Sequence, residues 1–204
     1  MNLYSKFFAS IYDPFMKSAE TGYLSKIRKD LFGNLSGIIL DVGSGTGANF
    51  DFFNSTCHVI AVEPSIAMMQ KAKHKAKENI NFVVMGVNDP KLEKIIEPNS
   101  LDAVVCTLVL CTIPNPEIAL QKFAKWLKPD GKLIIIEHIK SKSSVTASFQ
   151  HFVNPMWKVI GEGCNLTRDT DQMILDAGFV PDMDGYFKSG MTWYYGQFKI
   201  STNN

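Results

Sequence analysis

The chain has 204 residues, 46% hydrophobic and 20% charged, the composition of one globular domain, which excludes disordered, collagenous and disulfide-stapled classes. Twenty-one basic and 20 acidic side chains leave a formal charge of +1, without the basic excess of a nucleic-acid binder. Cys57, Cys106, Cys111 and Cys164 form no CxxC pair and follow no secretory signal, so four reduced thiols in a cytoplasmic protein without a metal site are expected.

In chain order, residues 3 to 16 set Leu3, Phe7, Phe8, Ile11, Tyr12 and Phe15 along one helical stripe. The nearby charges Lys6, Asp13, Lys17 and Glu20 cancel, so the stripe lacks the basic face of a membrane-surface helix. The stripe can be a lid, a core-packing helix or a membrane-surface helix, and residues 1 to 35 are taken as a helical lid or cap. From residue 38 onward, short β-branched runs alternate with helical stretches, the pattern of a parallel sheet under crossover helices. Strands are predicted over Ile38 to Val42, His58 to Val62, Phe82 to Met85, Asp102 to Thr107 and Lys132 to His138. Their unbroken apolar character predicts burial on both faces. Helices are predicted over Ser65 to Glu78 and Pro116 to Leu127, the latter ended by Lys128-Pro-Asp-Gly131. The longest nearly apolar run, 103 to 113, is too short to span a bilayer, and no integral membrane segment is expected. Beyond the core of residues 36 to 140, residues 141 to 204 read as helices near 146 to 160 and 169 to 177, then a strand pair over Tyr186 to Lys188 and Trp193 to Ile200.

The most informative segment is Ile39-Leu-Asp-Val-Gly-Ser-Gly-Thr-Gly-Ala-Asn-Phe50, a buried strand entering three spaced glycines and then a predicted helix start. Glycines allow a tight turn and a close backbone approach to a ligand at the strand's carboxyl end. Gly43-x-Gly45-x-x-Ala48 satisfies the loose dinucleotide spacing, which leaves NAD open. Asp41 points the other way, because a carboxylate there repels a pyrophosphate and attracts an ammonium group. Glu63 ends the second strand, where an acid accepts hydrogen bonds from a ribose diol in either cofactor.

Asp-x-Gly-x-Gly-x-Gly resembles the first motif of class I S-adenosylmethionine-dependent methyltransferases. Val62-Glu63-Pro64-Ser65 resembles that family's acidic turn, and Leu127-Lys-Pro-Asp-Gly-Lys132 the turn before its fifth strand. The resemblance implies a single-domain α/β Rossmann-like fold, with a mostly parallel seven-stranded sheet, helices on both faces and an antiparallel C-terminal strand. It implies S-adenosylmethionine as cofactor, with Asp41 on the methionine ammonium, Gly43, Ser44, Gly45, Thr46 and Gly47 around methionine and ribose, and Glu63 and Pro64 at the ribose. Met68 is placed against adenine, Asn88 or Asp89 at the adenine amine, and Cys106 and Thr107 along the pocket through their backbone.

Val104-Val-Cys-Thr-Leu-Val-Leu-Cys111, Asn154-Pro-x-Trp157 and Gly163-Cys-Asn-Leu-Thr-Arg-Asp169 resemble the alkyl-thiol methyltransferases of vertebrate microsomes over roughly residues 38 to 180, while generic bacterial methyltransferases share much of the pattern. Those microsomal enzymes carry a hydrophobic N-terminal anchor, which is not expected here. The acceptor implied is a small molecule, a thiol first, with a phospholipid amine, a quinone-like ring or a non-catalytic cofactor-binding module as alternatives. Methyl transfer is an in-line displacement that demands alignment and dryness more than acid-base machinery. Candidate bases are His138 and His151. Arg168 is either a cation orienting substrate or lid, or part of a helix start in which Asp169 and Gln172 form a capping box. Tyr12, with Phe15, would close over the methyl group, and Cys164 reads as a packed small residue.

Overall fold

A computed structural model of the chain describes residues 3–201, and the side chain of Leu3 lies outside the described set. The sheet is built from β1 (Gly37–Val42), β2 (Cys57–Val62), β3 (Ile80–Val83), β4 (Leu101–Thr107), β5 (Leu127–Ile139), β6 (Phe179–Ser189) and β7 (Met191–Ile200). Their spatial order is β3-β2-β1-β4-β5-β7-β6, and the pairs β1–β2, β1–β4, β2–β3 and β4–β5 are all parallel. Only β7 is inverted, running antiparallel to both β5 and β6.

Strand side chains alternate between faces, and the sequence fills both faces with apolar residues. Ile39, Val59, Val105 and Ile134 point to one side, where α2 (Tyr23–Phe32) buries Leu24, Leu31 and Phe32 against them. Leu40, Val104, Cys106 and Leu133 point to the other, under Leu120, Phe123 and Trp126 of α4 (Pro116–Trp126) and Ile174 of α6 (Thr170–Asp176). The fully buried parallel core is what the unbroken runs required.

Several boundaries differ from expectation. The N-terminal helix α1 (Leu3–Thr21) continues through Pro14 for five residues beyond the predicted stripe, and α2 follows it as a second helix. Helix α3 (Ile66–Lys73) stops well before Glu78, because residues 74 to 78 offer no apolar face beyond Ala76. Strand β3 begins at Ile80 rather than Phe82, since Ile80 pairs with Val59 and is buried. The helix expected after the glycines is a single 3-10 turn over Phe50–Phe52; Gly47 sits at φ +80°, outside helical space, and Phe53 returns to extended backbone. Helix α5 (Ser144–Ile160) and α6 match the expected pair, and β6 starts seven residues before Tyr186.

Candidate functional site

Connections leave β1 toward β2 on one side and reach β4 on the other, so a crevice opens at the carboxyl end of β1, where open α/β sheets bind ligands. Gly43 and Gly45 shape its floor at φ +61° and +56°. A Cβ on Gly43 would lie 2.2 Å from Val109 Cγ2, so only glycine lets the loop after β4 close over this turn. Gly45 N–H donates to Glu63 Oε2 at 3.0 Å and Ser65 N–H to Oε1 at 2.7 Å, which aims the Glu63 carboxylate into the turn. Burial raises the Glu63 carboxyl, and those two donors partly offset it. A cavity of about 1070 Å³ starts here, at the upper end of ordinary ligand pockets, with Gly43, Glu63, Pro64, Met68 and Asn88 at this end.

Asp41 is fully buried behind the turn. Its Oδ1 accepts from Asn49 Nδ2 at 2.7 Å, while Oδ2 has no hydrogen-bond partner. Burial pushes its carboxyl up to about 7, against the lowering influence of Asn49 and Arg28. Asn49 is the hub of this layer: it also donates to Thr107 Oγ1 at 2.9 Å and accepts from Arg28 Nε at 2.8 Å. Arg28, buried on α2, forms a two-pronged pair with Glu20 at the end of α1. Asp13 of α1 accepts from Thr46 Oγ1 at 2.5 Å and pairs with Lys75 at 3.3 Å. Two separate ties thus hold the N-terminal helices onto the glycine turn.

Those helices roof the cavity. Tyr12 faces it beside Phe8, and desolvation holds its phenol well above the ordinary value. Phe15 lines the rim but is 71% exposed, so it is not a closed cover over a reacting group.

At the far end the loop after β4, the end of β5 and the turn after α5 converge. Cys111, His138, Trp157 and Cys164 all face the cavity. His138 Nε2 lies 3.0 Å from Cys164 Sγ, and Trp157 Nε1 donates to the same sulfur at 3.2 Å. Hydrogen bonds from Cys111, His138 and Trp157 pull the Cys164 thiol below its usual range, while the bond to Cys164 and burial hold Cys111 well above it. For His138, burial works to lower the imidazole, and the Cys164 sulfur outweighs it. Cys164 is therefore a partnered thiol, not the packed small residue the sequence suggested. Asn154 fixes the turn that carries it, accepting from Leu166 N–H at 2.9 Å and donating to Asn165 Oδ1 at 3.0 Å.

Other expectations need correction. His151 lies on the exposed face of α5, away from the cavity, because the helix turns Ala147, Gln150 and Asn154 inward instead. Arg168 does not line the cavity; its Nη1 donates to the carbonyls of Leu110 and Ile113, which fixes the loop bearing Cys111. No capping box forms: Asp169 accepts from Lys140 Nζ at 2.8 Å, and Gln172 turns to Asp176. Cys106, expected along the pocket through its backbone, does not line the cavity, and its side chain packs in the core. Gly47 lies back from the cavity, where a Cβ would meet the Phe50 ring at 2.7 Å, so it serves packing. Ser44, Thr46 and Thr107 line a small recess beside Arg28 rather than the main cavity. Asn88 lines the cavity while its amide donates to Asn115 O at 3.0 Å, and Asp89 caps the next turn through Lys91 N–H.

The residues present fit S-adenosylmethionine better than a dinucleotide. A pyrophosphate needs free loop N–H groups at a helix start. Here Ser44, Gly45 and Gly47 N–H are taken by Val62 O, Glu63 and Ser44 O, only a 3-10 turn and no α-helix follows, and two carboxylates flank the turn. The Glu63 carboxylate lines the cavity as an acceptor for a diol, and Asp41, which does not line it, keeps an unpartnered Oδ2 just behind the turn for an ammonium. Sequence reasoning missed Glu20, Arg28, Asn49 and the cysteine–histidine group, since each partner comes from a distant part of the chain.

Comparison with known proteins agrees. The family model described as "Methyltransferase domain" matches residues 40–135. Thiol S-methyltransferase TMT1B of Rattus norvegicus is 37% identical over 173 residues, covering 80% of this chain and 68% of that protein. Thiol S-methyltransferase TMT1A of Homo sapiens is 31% identical over 196 residues, covering 91% and 78%. A complex of the Haloferax volcanii Trm112 methyltransferase activator and a methyltransferase contains a chain of the same fold, with TM-score 0.72, 13% identity and 98% of each chain covered.

Proposed function

The chain belongs to the S-adenosylmethionine-dependent methyltransferases, and on that premise we propose that it methylates the sulfur of a lipophilic small-molecule thiol. The observation that carries this reading is a single cavity with the glycine turn and Glu63 at one end and Cys111, His138 and Cys164 at the other, between walls of Phe8, Tyr12, Val109 and Trp193. Similarity to two thiol S-methyltransferases supports the choice of sulfur.

When bound, S-adenosylmethionine supplies an electrophilic methyl group on a sulfonium. The chain's own residues do the positioning. Glu63 would accept from the ribose diol, Asp41, held in place by Asn49, would present negative charge to the ammonium, and Met68 and Asn88 would flank the base. The apolar walls exclude water and hold the acceptor in line, which is the main demand of a displacement at carbon. A thiol has an ordinary pKa of about 8.5 and a few per cent thiolate at neutral pH, so alignment supplies most of what the step requires. His138 and Cys164 form the polar end against which the acceptor sulfur rests.

The test is release of S-adenosylhomocysteine by purified protein given alkyl thiols, hydrogen sulfide, a phosphatidylethanolamine dispersion and a hydroquinone. Turnover of alkyl thiols, with the amine and phenol silent, is expected. Turnover of the amine or the phenol alone would replace the thiol reading, and binding of S-adenosylhomocysteine without turnover of any acceptor would favour a cofactor-binding module.

A further inference from the structure

The cysteine–histidine group at the far end of the cavity is more ordered than the apolar acceptor reading requires. Cys111 Sγ, a ring nitrogen of His138 and Cys164 Sγ all lie within 4.8 Å of one another. They come from three elements, the loop after β4, the end of β5 and the turn after α5, so no local motif announces them. We propose that Cys111, His138 and Cys164 bind a thiophilic divalent cation of the zinc type, leaving one coordination position open to the cavity.

Donor chemistry selects the class of ion. Two thiolates and an imidazole, with no carboxylate among them, match zinc and exclude magnesium or calcium, which take oxygen ligands. Bond lengths of about 2.0–2.3 Å in a tetrahedral site put ligand atoms roughly 3.5–3.8 Å apart. The 3.0 Å contact between His138 Nε2 and Cys164 Sγ and the 4.8 Å limit of the group bracket that spacing. Side-chain adjustments of less than 1 Å therefore suffice.

The surroundings hold the ligands in place, as metal sites require of their outer partners. Trp157 Nε1 donates to Cys164 Sγ at 3.2 Å. Asn154 fixes the backbone just after Cys164, and Arg168 holds the Leu110 and Ile113 carbonyls on either side of Cys111. Neither Asn154 nor Arg168 lines the cavity, so substrate contact does not account for their placement.

Three protein ligands with an open fourth position is the pattern of zinc sites that take water or substrate, whereas closed structural sites use four. All three side chains face the cavity, so the fourth position does too. Resting on the thiol reading above, an acceptor thiol would enter there as thiolate, its proton released to solvent, because a metal-coordinated thiol is deprotonated outright. Each ligand cysteine likewise gives its proton to solvent on metal binding.

The experiment uses the full chain, reduced and stripped with a chelator. Zinc is titrated in competition with a chromogenic chelator, and cobalt(II) binding is followed by absorption. One equivalent of zinc and a thiolate-to-cobalt charge-transfer band are expected. Cys111→Ser, Cys164→Ser and His138→Ala should each weaken zinc by about a hundredfold or more, while Cys57→Ser, in the core, leaves it unchanged. Retained S-adenosylhomocysteine binding by the first three variants shows that they are folded. Absence of stoichiometric zinc binding by the unaltered chain, or binding that survives Cys111→Ser and Cys164→Ser, overturns the proposal. An alkyl thiol that shifts the cobalt spectrum supports the open position. A bound metal whose spectrum no thiol perturbs contradicts the thiol reading at this end while leaving the cation site intact.

Discussion

Arg28 Nε donates to Asn49 Oδ1 at 2.8 Å across 21 residues of sequence, joining the N-terminal helices to the residue that holds Asp41. Arg28 is 1% exposed, and its other nitrogens are bound by Glu20, so the cofactor turn and its roof share one buried polar layer.

Replacing Arg28 with Ala leaves Glu20 without its cation and Asn49 short of a donor. Removing one partner of a buried ion pair costs about 3–5 kcal/mol, and the value here belongs at the lower end because Glu20 can turn toward solvent. Urea unfolding measures the loss, and S-adenosylhomocysteine affinity should fall with it. Stability within 0.5 kcal/mol of the parent, roughly the effect of an ordinary surface substitution, would show that the layer contributes little.

Asp41 sets a pH dependence. In the free protein its carboxyl titrates near 7, raised by burial, whereas in the unfolded chain it titrates near the usual 3.8. The folded protein therefore keeps a proton that the unfolded chain has lost between these values. The resulting stabilisation is complete below the lower value and is lost as pH rises through about 7. A cofactor ammonium favours the ionised form, so S-adenosylhomocysteine should bind about tenfold more tightly at pH 8 than at pH 6. Asp41→Asn should flatten this profile, and Asp41→Ala should weaken binding by about 1–3 kcal/mol. A flat profile in the unaltered protein would remove the ammonium role.

Gly43 and Gly45 separate stability from binding. Gly43→Ala combines a left-handed backbone with a collision against Val109, and should destabilise by about 2–4 kcal/mol. At Gly45 an added Cβ meets only Gly43 O, at 3.8 Å, so Gly45→Ala should cost about 1 kcal/mol of stability. Its Cβ would nevertheless intrude where the cofactor approaches, and isothermal titration should record a larger loss of affinity than of stability. Equal losses of both would mean that Gly45 does not face the ligand.

Tyr12→Ala tests the roof. Tyr12 lines the cavity without belonging to the main core, so acceptor turnover should fall more than the melting temperature does. An unchanged kcat/KM would confine Tyr12 to packing. His151→Ala serves as the matched control, because its exposed ring faces away from the site and its rate should equal the parent's.

The Asp-x-Gly-x-Gly-x-Gly run and the apolar strands were legible because their physics is local. Unbroken β-branched stretches demand burial on both faces, and glycines at the end of the first strand demand positive φ, whatever lies elsewhere. The cofactor class, the parallel core and the inverted last strand followed from such segments and from the resemblance they carry. The helix anticipated after the glycines failed for an equally local reason, the left-handed Gly47, which spacing alone does not reveal.

Side-chain partnerships were decided by the tertiary structure. His138 and His151 look alike in sequence, yet the end of β5 turns one ring to the cavity, and the inward face of α5 leaves the other in water. For Arg168 the sequence leaves an orienting cation and a helix start equally open, and only its long-range bonds to Leu110 and Ile113 decide its role. Cys111, His138 and Cys164 are separated by 26 residues or more, and only the meeting of three chain segments beyond the carboxyl ends of β4 and β5 makes them a group. Sequence by itself determined the elements and the cofactor turn, because backbone preference and hydrophobic period act within a few residues. The structure alone decided which polar side chains share a site, because hydrogen bonds and ligand geometry depend on distances that the folded sheet sets.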